Sequence, residues 1–446
     1  MSKSLFKTQS GKNYLFPFIL ITSLFFLWGF AHSLLDILNK HFQNALDLSK
    51  AQSGLVQASA YGAYFIMALP AGYIARKFGY KKGVLFGLLL FAIGCFWFVP
   101  AVGIDKFWAF LLGLLIIFSG LTFLETVANP YTTVLGDPKY AASRINLAQT
   151  FNALGWIAGP LVGSLFIFKN TSTDSPLVSF GKTLKVIFTG VAETSAQVAT
   201  EGGKVVDNSA LIIPYVSLGV VVVLVALMFF LAKLPEVNPD AETHSVDRTE
   251  GKSKAIHIPL FKQRRFVMAV VAQFLYVAAQ TGIGSFFVNY TVETKNLGIG
   301  EMQAGFLLGL GGMGLFATGR FLGSFLMRYV KPEALLGSFA LINTFLMLVT
   351  ANRHDHLGII ALILSYLFMS IMFPSIFALG IKGLGPQTKT ASSVMVMTVV
   401  GGAICPSLMG LIGEHNMNVG FIIPMICFAY IAVFGFVQSK QSIKMK

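Results

Sequence analysis

Three ionisable side chains lie inside stretches of the sequence that are otherwise apolar: Asp36, Glu125 and Arg320. A charge at the centre of a bilayer costs about 2.5–3.5 kcal/mol on insertion scales. That cost is tolerated where the side chain faces a cavity, forms an ion pair or becomes neutral by protonation. The two carboxylates are therefore predicted to bind protons, and Arg320 is a candidate ion-pair or gating residue. The alternative is structural, with a buried ion pair to Arg320 or an interfacial Asp36.

Polar side chains recur at helical spacing around these charges. In the first apolar stretch the stripe consists of Trp28, His32, Asp36, Asn39 or Lys40, and Gln43. Three further stripes are Thr122, Glu125, Asn129 and Thr133; Asn146, Gln149, Asn152 and Trp156; and Gln273, Tyr276 and Gln280. For any single amide, hydrogen bonding between helices is an equal alternative. The four stripes together favour a polar cavity.

The residue types in these stripes suit a sugar. Amides and carboxylates supply the donors and acceptors that hydroxyl groups need, and aromatic rings cover the apolar face of a pyranose. The candidate substrate-binding residues are Trp28, His32, Gln149, Asn152, Tyr276 and Gln280.

The elements that position these residues are long apolar stretches. The chain has 446 residues, of which 55% are hydrophobic and 12% charged, whereas soluble proteins carry about 25% charged residues. A spanning helix needs about 20 apolar residues. Twelve spans are predicted, near 14–38, 52–75, 83–101, 107–134, 144–168, 210–232, 266–290, 302–327, 333–351, 357–381, 389–413 and 418–438. The first resembles a signal peptide, but its length and the similar stretches that follow predict an uncleaved helix.

The fold class that follows is an all-α membrane protein with about twelve transmembrane helices in two six-helix halves. The predicted domains are an N-terminal bundle (1–233), a cytoplasmic linker (234–265) and a C-terminal bundle (266–446). A second polar stretch, 169–209, lies on the opposite side. Basic residues concentrate in the loops on the side of the linker, so both termini are predicted to be cytoplasmic. This layout is typical of major facilitator transporters, whose substrate site lies near the midplane between the halves, although other twelve-helix architectures exist.

The sequence lacks the motifs of other functional classes. No phosphate-binding loop, metal cluster or nucleophile elbow occurs, so neither an enzyme nor a nucleotide-driven pump is expected. The formal net charge of +14 fits basic cytoplasmic loops rather than a nucleic-acid partner. Apolar packing is expected of Cys95, Cys405 and Cys427, and solvation of His244, His257, His354 and His356. No cofactor is expected apart from the proton as coupling ion.

Several long motifs resemble one transporter family. In the first half they are FFLWGFAHSLLDIL (25–38), GLTFLETVANPYTTVLG (120–136) and RINLAQTFNALG (144–155). In the second half they are YVAAQTGIGSFFVNY (276–290), GRFLGS (319–324) and FMSIMFPSIFALGIKGLG (368–385). The sequence resembles the fucose–galactose–glucose proton symporter family of the major facilitator superfamily, and the L-fucose permeases most closely.

The resemblance implies roles for individual residues. Asp36 and Glu125 stand where the family's proton-coupling carboxylates stand, and Gln149 and Asn152 match its sugar-facing amides. Trp28 and Gln280 match other cavity residues. The sequence departs from the L-fucose permeases at His32, Ser33, Gly284 and Phe373, and from the widespread loop motif at Arg76. Gly284 is expected to make room for a bulkier sugar.

The expected function is proton-coupled import of L-fucose or a related hexose by alternating access. The protein is expected to act as a monomer in the bacterial inner membrane, with the sugar and the lipid bilayer as its partners. Alternatives are another sugar, such as glucose or galactose, an N-acetylated sugar or an acidic one that Arg320 would hold. A sugar uniporter, a drug–proton antiporter and a sugar receptor are the rival classes.

Overall fold

A computed structural model describes residues 14–135, 141–168, 176–190, 207–232, 259–294, 297–327, 329–382, 384 and 387–444. All regular elements in these ranges are helices. Most of the predicted linker, with His244 and His257, lies outside them.

Eleven helices in the described ranges are long and apolar enough to cross a membrane. A twelfth, Leu55–Phe78, has 24 residues but interrupts its apolar residues with Gln57 and several tyrosines. The first six helices are α1 Leu15–Ala45, α2 Leu55–Phe78, α3 Tyr80–Ile104, α4 Phe107–Val134, α5 Ala141–Ile167 and α6 Ile212–Leu231. The prediction of a helical membrane protein with about twelve spans is confirmed.

The second six helices include four that consist of consecutive segments. The continuous ones are α7 Arg264–Glu293 and α9 Pro332–Asn352. The segmented ones are α8 (Glu301–Phe306, Leu307–Met313, Gly314–Leu326), α10 (His356–Met369, Met372–Ile381), α11 (Thr388–Met397, Thr398–Val400, Gly401–Ile412) and α12 (Met417–Gly420, Ile422–Lys444).

Two of these irregularities have local causes. The middle segment of α8, Leu307–Met313, is a π-helix that contains three glycines, and π segments of this kind often mark functional sites. In α10 the break falls just before Pro374, which therefore stands in the first turn of the segment Met372–Ile381. Proline is tolerated in a first turn because the amide hydrogen that it lacks has no helical acceptor there. The predicted span near 357–381 matches the span His356–Ile381, but this break within it was not predicted from the sequence.

One further helix, Pro176–Thr189, lies within the stretch 169–209 that was predicted only as a polar connection. Proline at its first position fits a helix start. Thr183, Val186 and Ile187 are buried at helical spacing, whereas Leu177 and Phe188 are about 70% exposed (71% and 70%). The helix has only 14 residues. The Ser and Thr residues of the stretch 169–209 obscure the helical spacing of its few apolar residues in the sequence.

The described residues fall into two compact units. The first comprises those within Met1–His32, Gly62–Trp156 and Leu211–His257, and the second those within Ser33–Tyr61, Ile157–Ala210 and Ile258–Lys446. The predicted division at 1–233, 234–265 and 266–446 stays a prediction.

Close helix packing holds the first unit together. Glycines let α3 and α4 approach each other: a Cβ on Gly94 would lie 2.6 Å from the backbone nitrogen of Ile117, and one on Gly120 would lie 2.6 Å from that of Phe91. Small residues have this role in lipid, where backbone proximity and van der Waals contact replace hydrophobic association. In the second unit Gly435 of α12 meets the backbone of Gly337 in α9 in the same way. All three cysteines are buried and form no disulfide.

Candidate functional site

Asp36 lies in the second unit with its side chain buried, at 5% exposure. The amide of Gln57 in α2 donates a hydrogen bond of 3.1 Å to its Oδ1. None of the ion pairs among the described residues includes Asp36. A neutral amide rather than a cation therefore holds this carboxyl group among the described residues, and the interfacial position considered for Asp36 is not tested by its burial against protein.

Helix α7 passes directly beside the Asp36 carboxyl group at Gly284. A Cβ on Gly284 would lie 2.8 Å from Oδ2 and 2.9 Å from Oδ1 of Asp36. The expectation that Gly284 makes room for a bulkier sugar is therefore wrong, because the Asp36 carboxyl group already occupies that space. The glycine instead allows α1 to place a carboxyl group against the backbone of α7.

Two more contacts continue this line between α1 and α7. The Asn39 amide donates 2.7 Å to the carbonyl oxygen of Ser285. The amides of Gln43 and Asn289 bond reciprocally, with Asn289 donating at 2.6 Å and Gln43 at 3.4 Å. We call the three contacts Asp36–Gly284, Asn39–Ser285 and Gln43–Asn289 the α1–α7 seam. The polar stripe predicted on α1 thus packs against α7 from Asp36 to Gln43.

Charged groups follow at the end of the seam. Lys50 Nζ forms an ion pair of 2.7 Å with Glu293 at the end of α7, whose other carboxylate oxygen accepts 3.0 Å from the Met417 amide. Glu414 accepts hydrogen bonds from the backbone amides of Lys50 and Ala51 at 3.2 and 3.4 Å. We call Lys50, Glu293 and Glu414 the Lys50 cluster. It ties the connection between α1 and α2 to the ends of α7 and α11.

The remaining predicted site residues of the second unit differ in how they are used. The Tyr276 hydroxyl donates 3.0 Å to the carbonyl oxygen of Met369, which lies at the break in α10. Gln280 is half-buried and forms no hydrogen bond with a described residue. Its amide is therefore available to a ligand, whereas Tyr276 already has a backbone partner.

Arg320 packs on an aromatic ring and forms no ion pair with a described residue. Its guanidinium lies 4.8 Å from the ring centroid of Phe316, one turn earlier on α8. Among the described residues Arg320 has no acidic partner within 4.0 Å. Stacking on an aromatic face compensates part of the cost of burying the cation.

In the first unit, aromatic rings enclose His32. Its ring centroid lies 5.4 Å from that of Tyr64, 4.8 Å from Phe118 and 5.7 Å from Trp156. Its Nδ1 donates 3.0 Å to the carbonyl oxygen of Trp28. We call Tyr64, Phe118 and Trp156 the aromatic box. One ring nitrogen of His32 is thus used within α1.

Glu125 stands beside the aromatic box. Its side chain is half-buried on α4, and the Tyr64 hydroxyl interacts with its carboxyl group. Tyr64 thereby joins a carboxylate to a set of rings, which is an arrangement suited to a sugar, because it combines hydrogen bonding with apolar faces.

The contacts of Asn152 and Gln149 on α5 differ. Asn152 is 3% exposed and donates 3.0 Å from Nδ2 to the carbonyl oxygen of Phe25, where Gly29 brings α1 against the backbone of α5. Gln149 is half-buried without a hydrogen bond to a described residue. Asn152 therefore forms the interhelical hydrogen bond that was considered as an alternative to sugar binding. The amide of Gln149 remains available to a ligand.

Trp28 is buried and stacks on Phe25 at 4.4 Å between ring centroids. Side chains of Asn129, Thr133 and Asn146, which belong to the predicted stripes, lie outside the described part of the structure.

Three residues beside the carboxylates were missed from the sequence: Gln57, Tyr64 and Tyr366. Gln57, Tyr61 and Tyr64 follow one another on α2 at spacings of four and three residues, so they share one face of the helix. This spacing is visible in the sequence and could have identified Gln57 and Tyr64. Tyr366 of α10 is buried, interacts electrostatically with Asp36, and its hydroxyl has no hydrogen-bond partner among the described residues. Only the tertiary structure brings Tyr366 to Asp36.

No group of three or more His, Cys, Asp or Glu residues suitable for a metal ion occurs in the described ranges. The absence of a cofactor stays a prediction.

Comparison with known proteins relates the chain to transporters. The family model described as Major Facilitator Superfamily matches residues 18–191 and 202–406. An L-fucose-proton symporter of Escherichia coli (strain K12) is 40% identical over 436 residues, which cover 97% of this chain and 95% of that protein. A glucose/galactose transporter of Brucella abortus biovar 1 (strain 9-941) is 35% identical, covering 98% of this chain and 97% of that protein.

Solved structures agree with these matches. The crystal structure of the E. coli fucose:proton symporter has a TM-score of 0.63 at 37% identity, covering 96% of this chain and 99% of that one. A D-xylose-proton symporter has a TM-score of 0.69 at 13% identity, covering 95% and 98%, and this likeness concerns the fold alone.

Proposed function

We propose that this chain, which belongs to the Major Facilitator Superfamily, imports L-fucose or a related hexose together with protons by alternating access. The proposal rests on the 40% identity to an L-fucose-proton symporter along nearly the whole chain. The observation of this structure that carries it is Asp36, a carboxyl group buried in a membrane-spanning helix without a cation among the described residues. Such a group tolerates burial best when it is protonated.

Asp36 and Glu125 are the proposed proton-coupling residues. Each would take up a proton from outside and release it inside. An inward-moving positive charge gains about 2.3 kcal/mol per 100 mV of membrane potential. That energy corresponds to roughly fiftyfold accumulation of sugar per proton at 100 mV.

The sugar would contact the amides and rings that the stripes supply: Trp28, His32, Gln149, Asn152, Tyr276 and Gln280. Gln149 and Gln280 are the strongest candidates, because their amides have no partner among the described residues. Arg320 is proposed as a gating residue whose position on α8 follows the π segment.

The protein is proposed to be a monomer in the bacterial inner membrane, with both termini in the cytoplasm. The multi-pass character follows from its helices. Basic loops on the side of the linker support the orientation.

Proton movement tests the proposal directly. The purified protein is reconstituted in de-energised vesicles, and L-fucose is added outside in a weakly buffered medium with a pH indicator. Sugar entry with protons should make the external medium alkaline, and an imposed inward pH gradient should drive accumulation. Uptake that depends on sodium, with no pH change, would contradict the proposal.

The choice of sugar has a second candidate. The 35% identity to a glucose/galactose transporter favours these hexoses. Arg320 has no acidic partner among the described residues. Its guanidinium could therefore bind a sugar carboxylate, so an acidic sugar is included in the test. Labelled L-fucose uptake is measured against unlabelled fucose, galactose, glucose, N-acetylglucosamine and a uronic acid. Inhibition by the uronic acid at a lower concentration than by any neutral sugar, lost in Arg320→Gln, would overturn the neutral hexose.

A further inference from the structure

The surroundings of Asp36 assign a specific task to Gln57. We propose that Gln57 is a positioning residue that stabilises the ionised Asp36 carboxylate while the α1–α7 seam is closed, so that the protein can reset after releasing its proton. This inference rests on the proposed role of Asp36 in proton coupling.

Few groups face Asp36 from the helices around it. From α2, Gln57 donates to its Oδ1; from α7, the backbone of Gly284 packs against both carboxyl oxygens; and from α10, Tyr366 interacts with it electrostatically. Among the described residues Gln57 is the one hydrogen-bond donor to this carboxyl group. An ionised Asp36 would therefore depend on the Gln57 amide, because buried charges without partners are strongly disfavoured.

An amide is suited to a carboxyl group that must exist in two protonation states. Its NH₂ group donates to the ionised carboxylate, and its carbonyl oxygen can accept a hydrogen bond from the neutral acid. A lysine or arginine in the same place would favour the ionised state and oppose proton uptake. Gln57 is itself 2% exposed, so water does not readily replace it.

The transport cycle contains one step that needs this stabilisation. α1 and α7 belong to different predicted bundles, so rocking of the bundles must open and close the α1–α7 seam. A symporter resets without sugar and without its coupling proton, and Asp36 is then ionised while the seam is closed over it. During exchange of sugar for sugar the proton stays on Asp36, so exchange does not pass through this state.

The principal test compares net transport with exchange in Gln57→Leu, which keeps the approximate volume and removes the donor. In proteoliposomes, proton-driven net uptake should fall about tenfold or more, as expected for the loss of a hydrogen bond to a charged group. Exchange of labelled for unlabelled L-fucose should stay within about twofold of the wild-type rate. Gln57→Met, which is flexible and also lacks a donor, should show the same division and serves if the leucine variant does not fold.

Two controls separate positioning from a structural role. Gln263→Leu removes a half-buried glutamine whose side chain likewise donates to another side chain, at 3.0 Å to Gln387, and should leave both rates unchanged. In an Asp36→Asn background, where ionisation is impossible, Gln57→Leu should cause no further change in exchange.

The outcomes distinguish this inference from the proposed function. Equal losses of net uptake and exchange in both donor-free variants, or wild-type net uptake in either, would overturn the role of Gln57. A further loss of exchange in the Asp36→Asn background would also overturn it. Wild-type accumulation by Asp36→Asn alone would instead refute the proposed function, because Asp36 would then not couple protons.

Discussion

The two membrane carboxylates of this protein lie in contrasting surroundings. Asp36 is buried against the backbone of Gly284 and is held by a single neutral amide from Gln57. Glu125 is half-buried and interacts with Tyr64, beside rings that also enclose His32. A carboxylate enclosed by helix packing would respond to conformation, whereas one beside rings and hydroxyls would respond to a ligand.

The contrast suggests a division of labour. Asp36 would carry its proton at the α1–α7 seam, and Glu125 would join proton binding to sugar binding. Substitutions at each carboxylate and its neighbours test whether the two groups differ in this way, and those at the carboxylates themselves should have the largest effect.

Amide substitution at the two carboxylates should give different partial reactions. Asp36→Asn and Glu125→Gln should both lose accumulation, about fiftyfold per coupled proton at 100 mV, because an amide cannot carry the proton. Asp36→Asn should still exchange sugar, since it mimics the neutral acid. Glu125→Gln should bind sugar about tenfold more weakly if its carboxylate accepts from a sugar hydroxyl.

Net uptake, exchange and equilibrium binding of each variant measure this contrast. Identical behaviour of both variants in exchange and binding would remove the division of labour. Accumulation at the wild-type level in both would show that the carboxylates are structural.

A methyl group at Gly284 should disturb Asp36 and leave Glu125 unaffected. In Gly284→Ala the new Cβ would lie 2.8 Å from a carboxyl oxygen of Asp36. Overpacking of this kind costs about 1–3 kcal/mol, so closing the seam should become about twentyfold less favourable. Sugar uptake should fall accordingly.

Gly314→Ala is the matched control, because no atom lies within 4 Å of its added Cβ apart from the helix itself. Its uptake should equal that of the wild type. Wild-type uptake in Gly284→Ala as well would show that the contact between Asp36 and α7 is unimportant for transport.

The amides should separate ligand binding from helix packing. Gln149→Ala and Gln280→Ala should each weaken L-fucose binding about tenfold, because a sugar hydroxyl loses its partner. Their thermal stability should stay unchanged, since neither amide bonds to a described residue. Asn152→Ala should lower the melting temperature, because Asn152 holds the Phe25 carbonyl.

Calorimetric binding and thermal unfolding in detergent measure the two properties independently. If both glutamine variants bind L-fucose with wild-type affinity, the proposed sugar contacts are misplaced. A stable Asn152→Ala that only loses affinity would return Asn152 wholly to the sugar site.

Sequence patterns predicted most of the fold because a bilayer imposes a length and an apolar composition on each span. Helix α4, for example, has the predicted bounds 107–134. The helix Pro176–Thr189 and the break in α10 were missed, since the first lies outside an apolar run and the second depends on one proline.

At the site, residue types were predictable but partners were not. The α1 stripe was identified because a charge and amides at helical spacing are rare in an apolar helix. Gln57 and Tyr64 were not identified, because α2 contains no charged residue beside them and many glycines and alanines. The role of Gly284 was misjudged, because a glycine in sequence does not reveal which neighbour fills the space beside it.

The smallest effect is expected at the Lys50 cluster. The side chains of Lys50 and Glu293 are 12% and 26% exposed, and Gln at position 50 keeps a neutral donor, so the expected loss is about 1 kcal/mol. Lys50→Gln should therefore change the uptake rate by no more than about fivefold. Because salt screens this partly exposed pair more than the enclosed Asp36, the difference between wild-type and variant rates should narrow as ionic strength rises, whereas the effects at Asp36 and Gly284 should persist. Arg353→Gln is the matched control, since Arg353 pairs with Asp355 at 3.4 Å with its side chain 58% exposed. Uptake rates measured between low and high salt decide the matter. A loss in Lys50→Gln that is larger than that in Gly284→Ala and independent of salt would place the main closing contact in the cluster rather than in the seam.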